Sequence, residues 1–141
     1  MIFTLDQHVA AGILSPDYAT LIRTAVGERK NLLISGGTGT GKTTLANAVL
    51  QEVAQSTSGH RIVIIEDTRE LQCAAPNAVF LCTSEQVDMT RLLRATLRLR
   101  PDRIVVGEVP RRWRSSRPGT RVTRAVSVRS TPDGAPDHLH R

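Results

Sequence analysis

Gly36-Gly37-Thr38-Gly39-Thr40-Gly41-Lys42-Thr43 fits the pattern G-x-x-x-x-G-K-[ST], and its setting decides how the rest of the chain reads. Residues 31 to 35 before it form a short apolar run. Residues 43 to 55 after it have helical composition, with Leu45, Val49, Leu50 and Val53 at core spacing. Strand, glycine-rich turn and helix, in that order, are the context in which this pattern binds phosphate. The glycines let the backbone curl so that successive N–H groups face one point, and the positive end of the following helix favours an anion there. Gly36, Gly37, Thr38, Gly39, Thr40 and Gly41 are therefore the expected cradle, with Lys42, Thr43 and Thr44 completing the nucleotide contacts. Lys42 would reach the β- and γ-phosphates and the Thr43 hydroxyl would ligate Mg²⁺, which makes ATP and Mg²⁺ the expected ligands.

Outward from this loop, residues 61 to 66 hold Ile62, Val63, Ile64 and Ile65, a continuous β-branched run of the kind found in strands covered on both faces. Glu66 and Asp67 follow at its carboxyl end, where open α/β sheets place their sites, and a carboxylate there could orient a water. Residues 78 to 82 read as a weaker strand. Residues 89 to 100 read as a helix with Leu92, Leu93, Ala95, Thr96 and Leu99 for its inner face, and Ile104 to Val106 as another buried strand. Gly107-Glu108 ends that strand, and an apolar strand followed by an acid is the form of a Walker B element, whose carboxylate contacts Mg²⁺ through water. The lead-in, residues 1 to 29, holds two short helical stretches, with Ser15-Pro16 as N-cap and first-turn proline of the second. Alternating strands and helices over residues 30 to 110 predict an α/β fold with a mostly parallel sheet.

The chain has 141 residues, so it is bounded to one domain, and its 40% hydrophobic and 23% charged residues match globular usage. Its net charge of +6 is unevenly placed. Residues 1 to 110 carry 11 Lys and Arg against 11 Asp and Glu, whereas residues 111 to 141 carry eight Arg against Asp133 and Asp137. The expected folded part is thus neutral and offers no charge evidence for nucleic-acid binding. Aromatics at 3% also leave little to stack on bases. No apolar run reaches the length of a membrane span and no leader pattern opens the chain, so a cytoplasmic protein is expected. Residues 111 to 141 show no sustained period, and an unstructured basic tail is expected there.

Cys73 and Cys82 carry no metal-ligand or disulfide pattern and read as small buried hydrophobes. His8 and His60 have no sequence partner and read as surface groups. Arg94, Arg98, Arg100 and Arg103 are weak candidates for stabilising transferred charge, with a solvated helix face the more frequent reading.

With the phosphate loop, Ile65-Glu66-Asp67-Thr68 and the stretch from Leu97 to Val109 in view, the chain resembles the secretion ATPases of type II and type IV systems from about Phe3 to Val109. The resemblance implies a RecA-like P-loop NTPase core in which Lys42 and Thr43 make the Walker A contacts. It places Glu66 in an acidic box serving hydrolysis and makes Glu108 the Walker B acid. It further implies a hexameric ring, ATP hydrolysis that powers conjugative transfer or pilus assembly, and a secretion apparatus at the inner membrane as partner, possible peripheral attachment to that membrane's cytoplasmic face included. The family's preceding domain, which closes over the nucleotide, and its later helices and histidine box have no counterpart in the sequence. An incomplete core with impaired turnover is therefore expected; the alternative is a non-catalytic module that binds nucleotide or docks on subunits.

The basic tail has one further reading. Codons compatible with Arg117 to Pro132, taken one base out of step, spell Ala-Trp-Asn-Thr-Gly-His-Pro-Gly-Gly-Val-Gly-Thr-Leu-His-Ala, which is similar to the missing continuation with its histidine box. A frameshifted tail is expected, and out-of-frame reading of GC-rich codons also explains its excess of arginine.

Overall fold

The structure, a computed structural model, describes residues 3–107 and 122–126, the latter by backbone course alone. Five strands form one sheet: β1 (Leu32–Gly36), β2 (Ile62–Glu66), β3 (Ala78–Cys82), β4 (Arg103–Val106) and β5 (Val122–Val126), in spatial order β1-β5-β4-β2-β3. β2 pairs in parallel with β3 and with β4, while β5 runs antiparallel to both β1 and β4. It follows that β1 and β4 point the same way.

β2 is buried along its whole length, and its alternating side chains supply both cores. Ile62 and Ile64 pack with Val105 against Val49, Leu50 and Val53 of α3 (Lys42–Ser56), joined by Val26 of α2 (Pro16–Gly27). Val63 and Ile65 face the other way with Ile104 and meet Met89 of α4 (Met89–Thr96). A strand covered on both faces is what a continuous β-branched run requires.

The helix ends follow local chemistry. Thr4 makes a reciprocal capping box with Gln7 at α1 (Leu5–Ala10), Ser15 accepts from the Tyr18 N–H ahead of Pro16, and Asp88 accepts from the Arg91 N–H at 2.8 Å. α4 is shorter than the sequence predicts. It tightens into a 3₁₀ turn at Leu97–Leu99, and Arg100 takes a left-handed φ of 48° before Pro101, since a residue preceding proline is disfavoured in the α region. Its inner face is Met89, Leu92, Thr96 and Leu99, while Leu93 and Ala95, expected inside, are exposed. Spacings of three and four keep one stripe inward and turn residues 93 and 95 away from it.

Two further expectations need correction. Residues 122–126 belong to the sheet, paired across five positions with β1 from Leu32↔Val126 to Gly36↔Val122. Val-Thr-Arg-Ala-Val has the β-branched content that suits a strand, and the ladders of β1 and β4 supply its partners. Cys82, the last residue of edge strand β3, is exposed instead of buried. Cys73 is half-buried, and burial pushes its thiol pKa up. Among the described residues no helix is long and apolar enough to cross a membrane.

Candidate nucleotide site

β1 ends at Gly36 and α3 begins at Lys42, so the glycine-rich loop turns the chain straight from sheet into helix. Gly39 and Gly41 take φ of 76° and 81°, a region that side chains rarely tolerate. Gly41 is the N-cap of α3 and contributes no side-chain hydrogen bond. The first-turn amides of a 15-residue helix are thus left without a side-chain cap at the loop. Lys42 Nζ donates to the Gly37 carbonyl, and Thr40 Oγ1 donates to the same oxygen at 2.8 Å. The ammonium is thereby folded back over the cradle that an anion would enter.

The acidic segment after β2 closes on this loop from the side. Thr43 Oγ1 donates to Glu70 Oε2 at 3.1 Å. Glu66 is 2% exposed, and its Oε1 accepts from the N–H groups of Glu70 at 3.1 Å and Leu71 at 2.9 Å. Glu66 therefore shapes the turn that presents Glu70 to Thr43. Gly107 lies hard against Glu66: a Cβ there would stand 2.6 Å from Glu66 Cγ. Asp67 accepts from Thr83 Oγ1 at 2.7 Å, and Asn47 on α3 accepts from the Gln72 N–H at 2.9 Å, which pins the segment at both ends.

A cleft of ≈ 560 Å³ opens beside the loop. Gly36, Gly39, Thr40, Gly41, Lys42 and Thr44 form its polar side, and Ile13, Leu14, Ile34 and Leu45 form an apolar wall. His8 also lines it, and this residue is 5% exposed, which corrects the surface assignment. Its Nδ1 lies 2.8 Å from the Thr4 carbonyl. A carbonyl only accepts, so Nδ1 carries a proton.

Of the residues that the sequence singles out, the loop and Lys42 and Thr43 stand together, with Glu66 joined to them through Glu70. Glu108 lies outside the described residues. Arg94, Arg98 and Arg100 are exposed, whereas Arg103 is 1% exposed and sits at the amino end of β4, away from the loop. It belongs neither to a solvated helix face nor to the phosphate cradle. Sequence reasoning passed over Glu70 and His8. For Glu70 the signal was its place four residues after Glu66 in the same acidic turn; for His8 there was none.

A mostly parallel sheet with a glycine-rich loop between its first strand and the next helix defines the P-loop class of α/β proteins. The chain belongs to the type II/IV secretion system protein family, whose match covers residues 3–113. It is 53% identical over 123 residues to a probable conjugal transfer protein TrbB of Sinorhizobium fredii, covering 82% of this chain and 38% of that protein. It is 36% identical over 111 residues to the type IV secretion system protein VirB11 of Bartonella quintana, covering 74% of this chain and 30% of the other. The crystal structure of the VirB11 ATPase of Brucella suis with sulphate superposes with a TM-score of 0.56 at 33% identity, over 78% of this chain and 33% of that one. The chain thus spans less than two-fifths of these relatives.

Proposed function

We propose that this chain carries the nucleotide-binding portion of a conjugal-transfer or type IV secretion ATPase. The observation that carries the reading is the α3 amino terminus, where Gly41 leaves the first-turn amides without a side-chain cap and Lys42 folds over them. The residues fit Mg²⁺·ATP. The loop amides and Lys42 would hold the phosphates, and Thr43, already paired with Glu70, would offer its hydroxyl to the metal. Bound there, Mg²⁺ would supply charge neutralisation during phosphoryl transfer. The apolar wall of Ile13, Leu14, Ile34 and Leu45 suits a nucleobase. Assembly into a ring of six, a cytoplasmic location and docking on a secretion apparatus at the inner membrane complete the reading by analogy with the relatives.

Removing Lys42 tests it. Lys42→Ala is expected to weaken Mg²⁺·ATP binding by about 10- to 100-fold, the worth of one hydrogen bond to a charged group, read by titration with a fluorescent ATP analogue. Unchanged affinity would sink the proposal.

One observation favours a second reading, a module that binds nucleotide without hydrolysing it. Glu66, the expected water-orienting group, has its Oε1 taken by two backbone N–H groups and is nearly fully buried. Phosphate release that disappears in Lys42→Ala decides for hydrolysis; binding without release decides for the module.

We also propose that residues 117 to 132 are read out of frame. Sequencing the coding DNA should give Trp-Asn-Thr-Gly-His and Leu-His-Ala in the shifted frame. A shifted frame without them makes the tail native.

A further inference from the structure

Three residues of the lead-in line the cleft: His8 of α1, and Ile13 and Leu14 of the turn that follows it. All the other lining residues belong to β1, the loop or α3. His8 is thus the polar side chain of the wall that the lead-in contributes. Given nucleotide binding at the loop, on which this rests, we propose that His8 positions the nucleoside, with its Nε2 hydrogen-bonded to a ribose hydroxyl.

The imidazole is fixed on two sides and open on a third. Nδ1 donates to the Thr4 carbonyl at 2.8 Å, and the Phe3 and His8 rings meet edge to face, with centroids 6.2 Å apart and planes at 81°. Although His8 is only 5% exposed, its Nε2 has no hydrogen-bond partner among the described residues. Arg103 Nη1 is, among the described residues, the only side-chain nitrogen or oxygen both sealed from solvent and unpaired. Nε2 therefore keeps an opening, and the cleft is the cavity that His8 lines. Polar atoms on buried rings ordinarily find a partner, and here the partner must come through the cleft.

The backbone of the same residue builds the apolar surface beside the ring. The His8 carbonyl accepts from the N–H groups of Ile13 at 3.0 Å and Leu14 at 3.2 Å. Gly12, just before them, takes a φ of 69°, the left-handed position at which helices commonly end in this way. Imidazole, Ile13 and Leu14 are thereby held as one unit. Ile13 is 74% exposed, a large apolar side chain at the rim of the cleft, and a base lying on Ile13 and Leu14 would cover it.

With phosphates on the loop and a base on this wall, the sugar lies between them, and the polar atom that the wall offers falls to it. The chemistry agrees. A hydroxyl both donates and accepts, so it pairs with Nε2 whether the ring is neutral or protonated. An amino or carbonyl group on a base edge suits only one of those states.

The test titrates the full chain with the Mg²⁺ complexes of ATP, 2′-deoxy-ATP and 3′-deoxy-ATP, as parent and as His8→Phe, which keeps a ring against Phe3 but has no Nε2. One deoxy analogue is expected to bind the parent about three- to tenfold more weakly than ATP, the worth of one hydrogen bond, and His8→Phe to abolish that difference. A purely structural His8 would change all three affinities alike. A second arm needs no variant that must fold: in the parent, the His8 ring resonances should shift saturably with Mg²⁺·ATP and stay in place with Mg²⁺·tripolyphosphate, which fills only the loop. Equal affinity of the parent for all three nucleotides, a deoxy penalty that persists in His8→Phe, or an equal shift with tripolyphosphate overturns the role of His8. Each of these leaves nucleotide binding through Lys42 standing, whereas a parent that does not bind Mg²⁺·ATP overturns both.

Discussion

Leu50→Ala is expected to lower the free energy of unfolding by about 2–5 kcal/mol, the range for a large aliphatic side chain deleted from a packed core. Leu50 is fully buried on α3, in the cluster that also holds Val26, Ile62, Ile64 and Val105. Its neighbours come from a helix and two strands whose backbones are fixed by their own hydrogen bonds, so the space it leaves cannot easily collapse. Domains of this size are stable by only about 5–15 kcal/mol, and the loss takes a large share of that. Urea denaturation followed by circular dichroism checks it: the midpoint should fall at nearly constant slope. A loss below about 1 kcal/mol would contradict the packing of α3 on β2, because a side chain exposed in the native state costs little to shorten.

Gly107→Ala is expected to act on the candidate site and on stability together. The new Cβ would stand 2.6 Å from Glu66 Cγ, closer than such atoms approach, and 3.1 Å from Glu66 Oε1, tighter than most such contacts. Glu66 is enclosed and can yield only by giving up the N–H groups of Glu70 and Leu71. Leaving those donors unpaired costs about 1–3 kcal/mol. Glu70 would then no longer be held against Thr43, and Mg²⁺·ATP should bind about tenfold more weakly, one charge-assisted contact being worth roughly that factor. Glu66→Gln is the companion variant. Its amide oxygen can accept the same two bonds, so stability should change much less than in Gly107→Ala. Equal stability and nucleotide affinity in Gly107→Ala and the parent would show that Glu66 does not position Glu70.

Much of the fold was legible because its signals are local. Four β-branched residues in a row at 62 to 65 leave little alternative to a strand covered on both faces, and β3 lies where the sequence predicts it. Ser15-Pro16 starts a helix through hydrogen bonding that spans three residues. The α/β class followed from the order of such pieces. What escaped notice depends on distant partners. His60 is held by Arg29 and by Arg103, 31 and 43 residues away in the chain, and nothing in its neighbours announces either. His8 bonds within its own helix cap, yet it is buried where α1 packs against α2 and α3. β5 lies in an arginine-rich stretch without periodicity, and its place comes from the unpaired edges it meets. Within the candidate site the glycine pattern was readable, whereas the pairing of Glu70 with Thr43 needed the turn that Glu66 builds.

β5 joins β1 to β4, yet it follows β2, β3 and β4 in the chain. During synthesis, then, the strand that leads into the phosphate loop waits with an open ladder while those three strands are made. Its pairing is of long sequence separation, the slow kind, and a strand exposed meanwhile is open to capture by other nascent chains. The strand that bridges β1 to the rest of the sheet is the last of the described strands to be made, so how much protein survives to fold depends on how quickly the ribosome reaches it.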